Sequence, residues 1–163
     1  IRQFLEEEPN LLLRDNVKMH FTASAWVLNP SKDKVLMLYH NIYQSWSWSG
    51  GHADGEGDLL SVAMKEVKEE SGLVSLKPLS DSPISIEILG VQPHYKKQKY
   101  VSAHLHLNYT FLLHNTKEEK LKICPEENSK VGWLSPDEAV RSSTEAWMKP
   151  IYKKLNQKMR EYL

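Results

Sequence analysis

Residues 46–73 constrain this 163-residue chain more than any other stretch. The segment WSWSGGHADGEG, residues 46–57, carries four glycines in twelve positions. Such a density reads as a tight, exposed loop in which backbone must come close to something. Asp58 then has the character of an N-cap, residues 59–71 keep a helical period, and Gly72 supplies the left-handed position at which helices end. With Glu66 set at zero and about 100° per residue, Glu69 lies near −60° and Glu70 near +40°, while Leu60, Ala63, Met64 and Val67 occupy about 60° to 160°. Three carboxylates therefore share a face beside an apolar stripe. A solvated acidic face is the ordinary reading of such a helix, but here it carries a cost. Glu66 and Glu70 form a like-charge i,i+4 pair, and all three acids sit in the half of the helix where the macrodipole disfavours anions. Pairing of Lys65 with Glu69 offsets part of this. A hard divalent cation, which takes oxygen ligands, offsets far more.

Around this helix the chain reads as strands. Residues 17–28 combine alternation with β-branched and aromatic side chains, NPSKDK supplies turn chemistry, and VLMLYH at 35–40 completes a hairpin. Residues 84–91 and 100–114 read as further strands, followed by a short LKIC (121–124) and VGWLS (131–135). Pro136 opens a short helix, and a last helix is expected over roughly 145–162. Helices interleaved with long neighbouring strands predict an α/β fold with a mixed sheet. The length suits one domain over 1–163, with residues 1–16 as a helical or extended lead-in. Because the chain begins at Ile1, part of the natural N-terminus is expected to precede it.

At the carboxylate helix the sequence resembles the Nudix family, whose box is G-x5-E-x7-R-E-U-x-E-E-x-G-U with U aliphatic. Aligned on Gly51, the chain matches at Glu66, Val67, Glu69, Glu70, Gly72 and Leu73. It departs at Gly57, where the box has its first Glu, and at Lys65, where the box has Arg and its two-pronged fork. Glu56 is one residue from the first departure. WSWSGGH and VGWLSPDEA resemble segments that flank the box in the family. The resemblance implies an α/β/α sandwich and a pyrophosphohydrolase that cleaves a phosphoanhydride in a nucleoside diphosphate linked to another moiety, by water attack on phosphorus. It also implies Mg²⁺ (or Mn²⁺) held by Glu66, Glu69, Glu70 and the Gly50 carbonyl, with Glu66 a candidate base and Lys65 its support. The alternative is a non-catalytic domain that binds a nucleotide or an ADP-ribose-like effector, which Gly57 and Lys65 motivate. Isoprenoid diphosphate isomerisation on the same fold calls for an early catalytic Cys, whereas Cys124 is late and isolated.

Family members often add a carboxylate from outside the box, and PEEN at 125–128 offers Glu127 as metal-shell or water-activating group, with Glu126 in reserve; a solvated loop acid is the other reading. His104 and His106 alternate on one strand face, where they either line a substrate pocket or are ordinary half-buried strand histidines. His52 follows the paired glycines as a substrate contact or an exposed loop residue. Trp46 and Trp48 either stack on a base or pack beneath the loop. HYKKQK at 94–99 is a local positive patch, a phosphate contact or a solvated loop.

Twenty-one basic and 21 acidic residues leave no net charge to draw the chain onto nucleic acid or an anionic membrane, and no nucleic-acid-binding signature is present. Apolar runs such as 11–13 and 109–113 are far too short for a membrane span. A single cysteine allows no intrachain disulfide and fits a reducing, cytoplasmic setting. The expected partner is a small nucleotide-type substrate, with a homodimer compatible.

Overall fold

The computed structural model describes residue 6 and residues 10–96 and 98–163. Most of the IRQFLEEE start and Lys97 of the basic patch lie outside the described residues. The elements are β1 (Met19–Leu28), β2 (Val35–His40), β3 (Ser45–Ser47), β4 (Ser49–His52), α1 (Leu59–Ser71), β5 (Leu76–Pro78), β6 (Ser85–Val91), β7 (His94–Lys96), β8 (Lys99–Val101), β9 (His104–Asn115), β10 (Asn128–Leu134), α2 (Pro136–Ser142) and α3 (Met148–Met159), with a final 3-10 turn at Arg160–Tyr162.

The main sheet is mixed, as expected. Its order is β10-β2-β1-β9-β5, with β3 beside β2, β4 beside β1 and β6 beside β9. The parallel pairing runs between β1 and β9, from Met19↔Leu105 to Leu28↔His114. Period-2 alternation divides β1 between two layers. Ala23, Ala25 and Val27 face α1, where they pack with Val62, Ala63, Val67, Leu36, Phe111 and Leu113. Trp26 and Leu28 face the other way, into a second core with Trp48, Tyr152, Leu155 and Met159. Two helical layers on opposite sheet faces make the α/β/α sandwich.

The helix ends follow the local chemistry. The Ser61 N–H donates to Asp58 Oδ1 at 3.1 Å, Gly72 sits at φ 77°, and α2 has a complete capping box between Ser135 and Glu138.

Four expectations change. Residues 45–52 are not an exposed loop but two short strands, because Ser45, Ser47, Trp48 and Ser49 are buried against neighbouring elements. LKIC is not a strand: Lys122 N–H donates to Ser71 O at 2.8 Å, but no ladder partner lies alongside among the described residues. The strand predicted over 100–114 breaks at Ser102–Ala103, giving β8, which pairs with β7, and β9. Residues 10–16 form turns rather than a helix or extended lead-in, with Leu13 N–H donating to Asn10 O at 2.9 Å.

Candidate active site

A cleft of about 1100 Å³ opens over the starts of β1 and β9 and is lined by all three box glutamates, Glu127, Arg14 and a group of histidines that includes His20, His52, His104 and His106. The same alternation that builds the core builds its floor. On the face that carries Trp26 and Leu112, β1 and β9 turn polar toward their N-termini, with Thr22 opposite Asn108 and His20 opposite His106. Asn108 Oδ1 accepts from Thr22 Oγ1 at 2.9 Å and Ser24 Oγ at 2.8 Å, and its Nδ2 donates to Glu87 Oε2 at 3.3 Å.

The three glutamates stand in different surroundings. Glu69 is exposed, and its Oε1 lies 3.7 Å from Lys65 Nζ. Glu66 is half-buried, and burial, followed by repulsion from Glu69, raises its pKa. Its carboxyl packs on Gly51 so closely that a Cβ there would meet Cδ at 2.3 Å and the oxygens at 2.5 and 2.6 Å. The expectation that backbone in the four-glycine stretch comes close to something is met at Gly51 and at Gly50, where a Cβ would meet Ala23 O at 2.8 Å, but not at Gly57. Glu70 is only 6% exposed. Burial pushes its pKa up to about 8, with Glu66 and Glu127 adding repulsion, although Ser49 Oγ donates to its Oε2 at 2.5 Å and the Gly50 N–H at 3.3 Å.

Asn128, which the sequence reading passed over, ties the Glu127 loop to this helix. It is 1% exposed; its Nδ2 donates to Glu70 O at 3.0 Å and its Oδ1 accepts from Cys124 N–H at 3.2 Å. Glu127 and Glu126 thereby line the same cleft as the box. Arg14 is a second missed residue, clamping Asp54 through two nitrogens, with Nε to Oδ1 at 2.6 Å. Its charge lies within electrostatic reach of Glu66 and Glu127.

His52, His104 and His106 come together on one wall. With them stands His20, the third residue the sequence reading missed, its ring centroid 5.1, 4.9 and 5.0 Å from those of His52, His104 and His106. Burial first, then His52 and His20, holds His106 down at about 2, so its ring is neutral. Trp48 joins the core, its ring 5.6 Å from Tyr152, and also lines the cleft, while Trp46 is half-buried against Tyr39. Gly57 is exposed, and a side chain there would meet nothing within 4 Å.

A buried carboxyl pushed up to about 8, with Glu66 and Glu127 beside it, fits a hard divalent cation: the donors are oxygens, and the charge they lack is positive. The fold and this site define a Nudix domain. The family model described as NUDIX domain matches residues 18–155, and the chain belongs to the NUDIX family. Its class is that of the Nudix-type pyrophosphohydrolases, hydrolases acting on acid anhydrides.

Among solved structures, the C. elegans Ap4A hydrolase in a binary complex is similar at TM-score 0.65 and 18% identity, covering 86% of this chain and 98% of that one. A NUDIX family hydrolase from Clostridium perfringens matches at 0.59 and 18%, covering 85% and 97%. The E. coli dihydroneopterin triphosphate pyrophosphohydrolase matches at 0.59 and 16%, covering 82% and 92%. At these identities the likeness is one of fold. No curated protein sequence matches the chain.

Proposed function

We propose that the chain hydrolyses a phosphoanhydride in a nucleoside diphosphate linked to another moiety, with Mg²⁺ or Mn²⁺ as cofactor and water as the attacking group. The observation that carries this is the convergence of Glu66, Glu69, Glu70 and Glu127 on one cleft. Glu66, Glu69, Glu70 and the Gly50 carbonyl are the groups that hold the metal. Bound there, the ion supplies charge neutralisation on the diphosphate oxygens and a lowered pKa for water.

The chain's own residues do the rest. Ser49 and the Gly50 N–H fix the Glu70 carboxyl. Gly51 sets the depth at which Glu66 sits. Lys65, paired with Glu69, keeps one of the outer ligands in place. Glu127, held over the helix by Asn128, accepts the proton of the attacking water as general base, with Glu66 as the alternative base. Arg14, His52, His104 and His106 line the wall that receives the substrate, and Asn108 forms its floor. A small nucleotide-type substrate and a reducing, cytoplasmic setting complete the reading; no helix among the described residues is long and apolar enough to cross a membrane.

The test is a screen of nucleotide sugars, dinucleotides, ADP-ribose, coenzyme A and oxidised nucleoside triphosphates with Mg²⁺ or Mn²⁺, reading released phosphate or nucleotide. Turnover that EDTA abolishes and metal restores is expected. Turnover unchanged in chelator overturns the metal reading. Tight binding of one compound without turnover points instead to the effector-binding alternative that the departures at Gly57 and Lys65 motivate.

A further inference from the structure

Four imidazoles meet on β1, β4 and β9, and phosphate recognition by itself does not call for the way they are held. His20 is 4% exposed. Its Nδ1 lies 3.1 Å from the Asn16 carbonyl, which only accepts, so Nδ1 carries the proton and Nε2 carries a lone pair. That Nε2 is buried with no hydrogen-bond partner among the described residues, and leaving such an acceptor bare costs about 1–3 kcal/mol. His104 repeats the pattern: Nδ1 donates to Ser102 O at 2.8 Å, so Nε2 presents its lone pair to His106 Nε2, 3.1 Å away.

A backbone carbonyl that fixes the tautomer and leaves the opposite nitrogen facing inward is how proteins orient metal-ligating histidines. Here two of four rings are held this way. One ligand atom from each of His20, His52 and His106 lies within 4.8 Å of the other two. Three nitrogens on a tetrahedral Zn²⁺ sit about 3.4 Å apart, from Zn–N bonds of about 2.05 Å, so small side-chain rotations close the set.

We propose that His20, His52 and His106 form a second metal site, for a borderline divalent ion of the Zn²⁺ class, with His104 beside it as a positioning residue or fourth ligand. Neutral imidazoles select such ions over Mg²⁺, which takes oxygen. The site is chemically separate from the carboxylate site and stands whether or not the hydrolase reading holds. Its three ligands come from three strands, so the ion joins β1, β4 and β9.

The experiment uses Co²⁺ as a spectroscopic stand-in on the full chain stripped of metal, in a large excess of Mg²⁺ that saturates the carboxylates. One equivalent of Co²⁺ with the intense visible bands of tetrahedral nitrogen coordination is expected, displaced by Zn²⁺ and unchanged in the Glu69→Gln, Glu70→Gln double variant. His52→Ala and His106→Gln should each weaken binding at least about a hundredfold, more than the 10- to 100-fold typical of losing a residue that only orients a ligand. His52 is not deeply buried, so its variant keeps the test sound if the His106 variant does not fold. The proposal is overturned if the wild-type chain in excess Mg²⁺ binds no Co²⁺, if the spectrum is that of six-coordinate oxygen ligation, or if binding is lost in the glutamate variant and kept in the folded His52→Ala variant.

Discussion

Replacing Glu70 by Gln removes a charge from a position where the metal-free fold resists it. In the folded chain the carboxyl titrates at about 8, against the usual 4.5, chiefly because it is buried. Between these values the native state holds a proton that the unfolded chain has released, so native stability falls as pH rises from 4.5 to 8. At neutral pH the group has crossed about 2.5 pH units of that window, at about 1.4 kcal/mol per unit, and the loss reaches about 3 kcal/mol. This is a ceiling, since water entering the cleft screens part of it. Gln avoids the loss, and its amide oxygen still accepts from Ser49 and Gly50. Urea unfolding in EDTA should therefore find Glu70→Gln more stable than wild type at neutral pH by up to about 3 kcal/mol, with the gap closing toward pH 4.5. Mg²⁺ at a thousand times its Kd should reverse the order, because it then adds about 4.1 kcal/mol to the form that binds it. A variant less stable than wild type at neutral pH, or a difference flat between pH 4.5 and 8, refutes the reasoning and makes the carboxyl structural.

Gly51→Ala drives its Cβ into the Glu66 carboxyl, the free end of a flexible side chain. Thermal melting should move little, while kcat falls about a hundredfold from misplacement of the reacting groups; equal loss of folding and activity refutes this. Glu127→Gln should lower kcat, leave metal affinity nearly unchanged and remove the acidic limb of the pH–rate profile, whereas Glu69→Gln should weaken metal binding and recover activity at high Mn²⁺. Near-normal kcat in Glu127→Gln at saturating metal transfers the base role to Glu66 or Glu126. Gly57→Glu with Lys65→Arg should raise kcat on a verified substrate without lowering the melting temperature, since nothing obstructs a side chain at 57. An unchanged kcat shows that both departures from the box are compensated elsewhere.

What was legible in the sequence is what neighbours in the chain decide. Asp58 and Gly72 set the ends of α1 through bonds to Ser61 and Lys68, each within four residues, and the alternation of β1 declared its two faces. The misreadings needed distant partners. Glu70 looks like its exposed neighbour Glu69, but its buried carboxyl is met by Ser49, 21 positions earlier, and its backbone carbonyl by Asn128, 58 later. The first half of the glycine loop proved to be strand because Gly50 lies against Ala23 and Ser24, a pairing no local pattern announces. His20 escaped notice because a lone histidine in a strand carries no signal until β9 brings His106 opposite it, 86 positions along the chain.

The arrangement of β4 explains why two glycines stand together. Along a strand, alternate residues face opposite ways. Ser49 and Gly51 face α1, one bonding Glu70 and the other leaving room for Glu66. Trp48 and His52 face the other side, one entering the second core and the other joining the histidines. Gly50, between them, pairs with Ser24 so closely that no side chain fits, while its N–H still reaches Glu70. Paired glycines therefore bring the carboxylate helix and the histidine wall to one narrow strand. An oxygen-rich group and a nitrogen-rich group thus open into the same cleft, each built by one face of β4, so a substitution at 51 acts on the glutamates and one at 52 on the histidines.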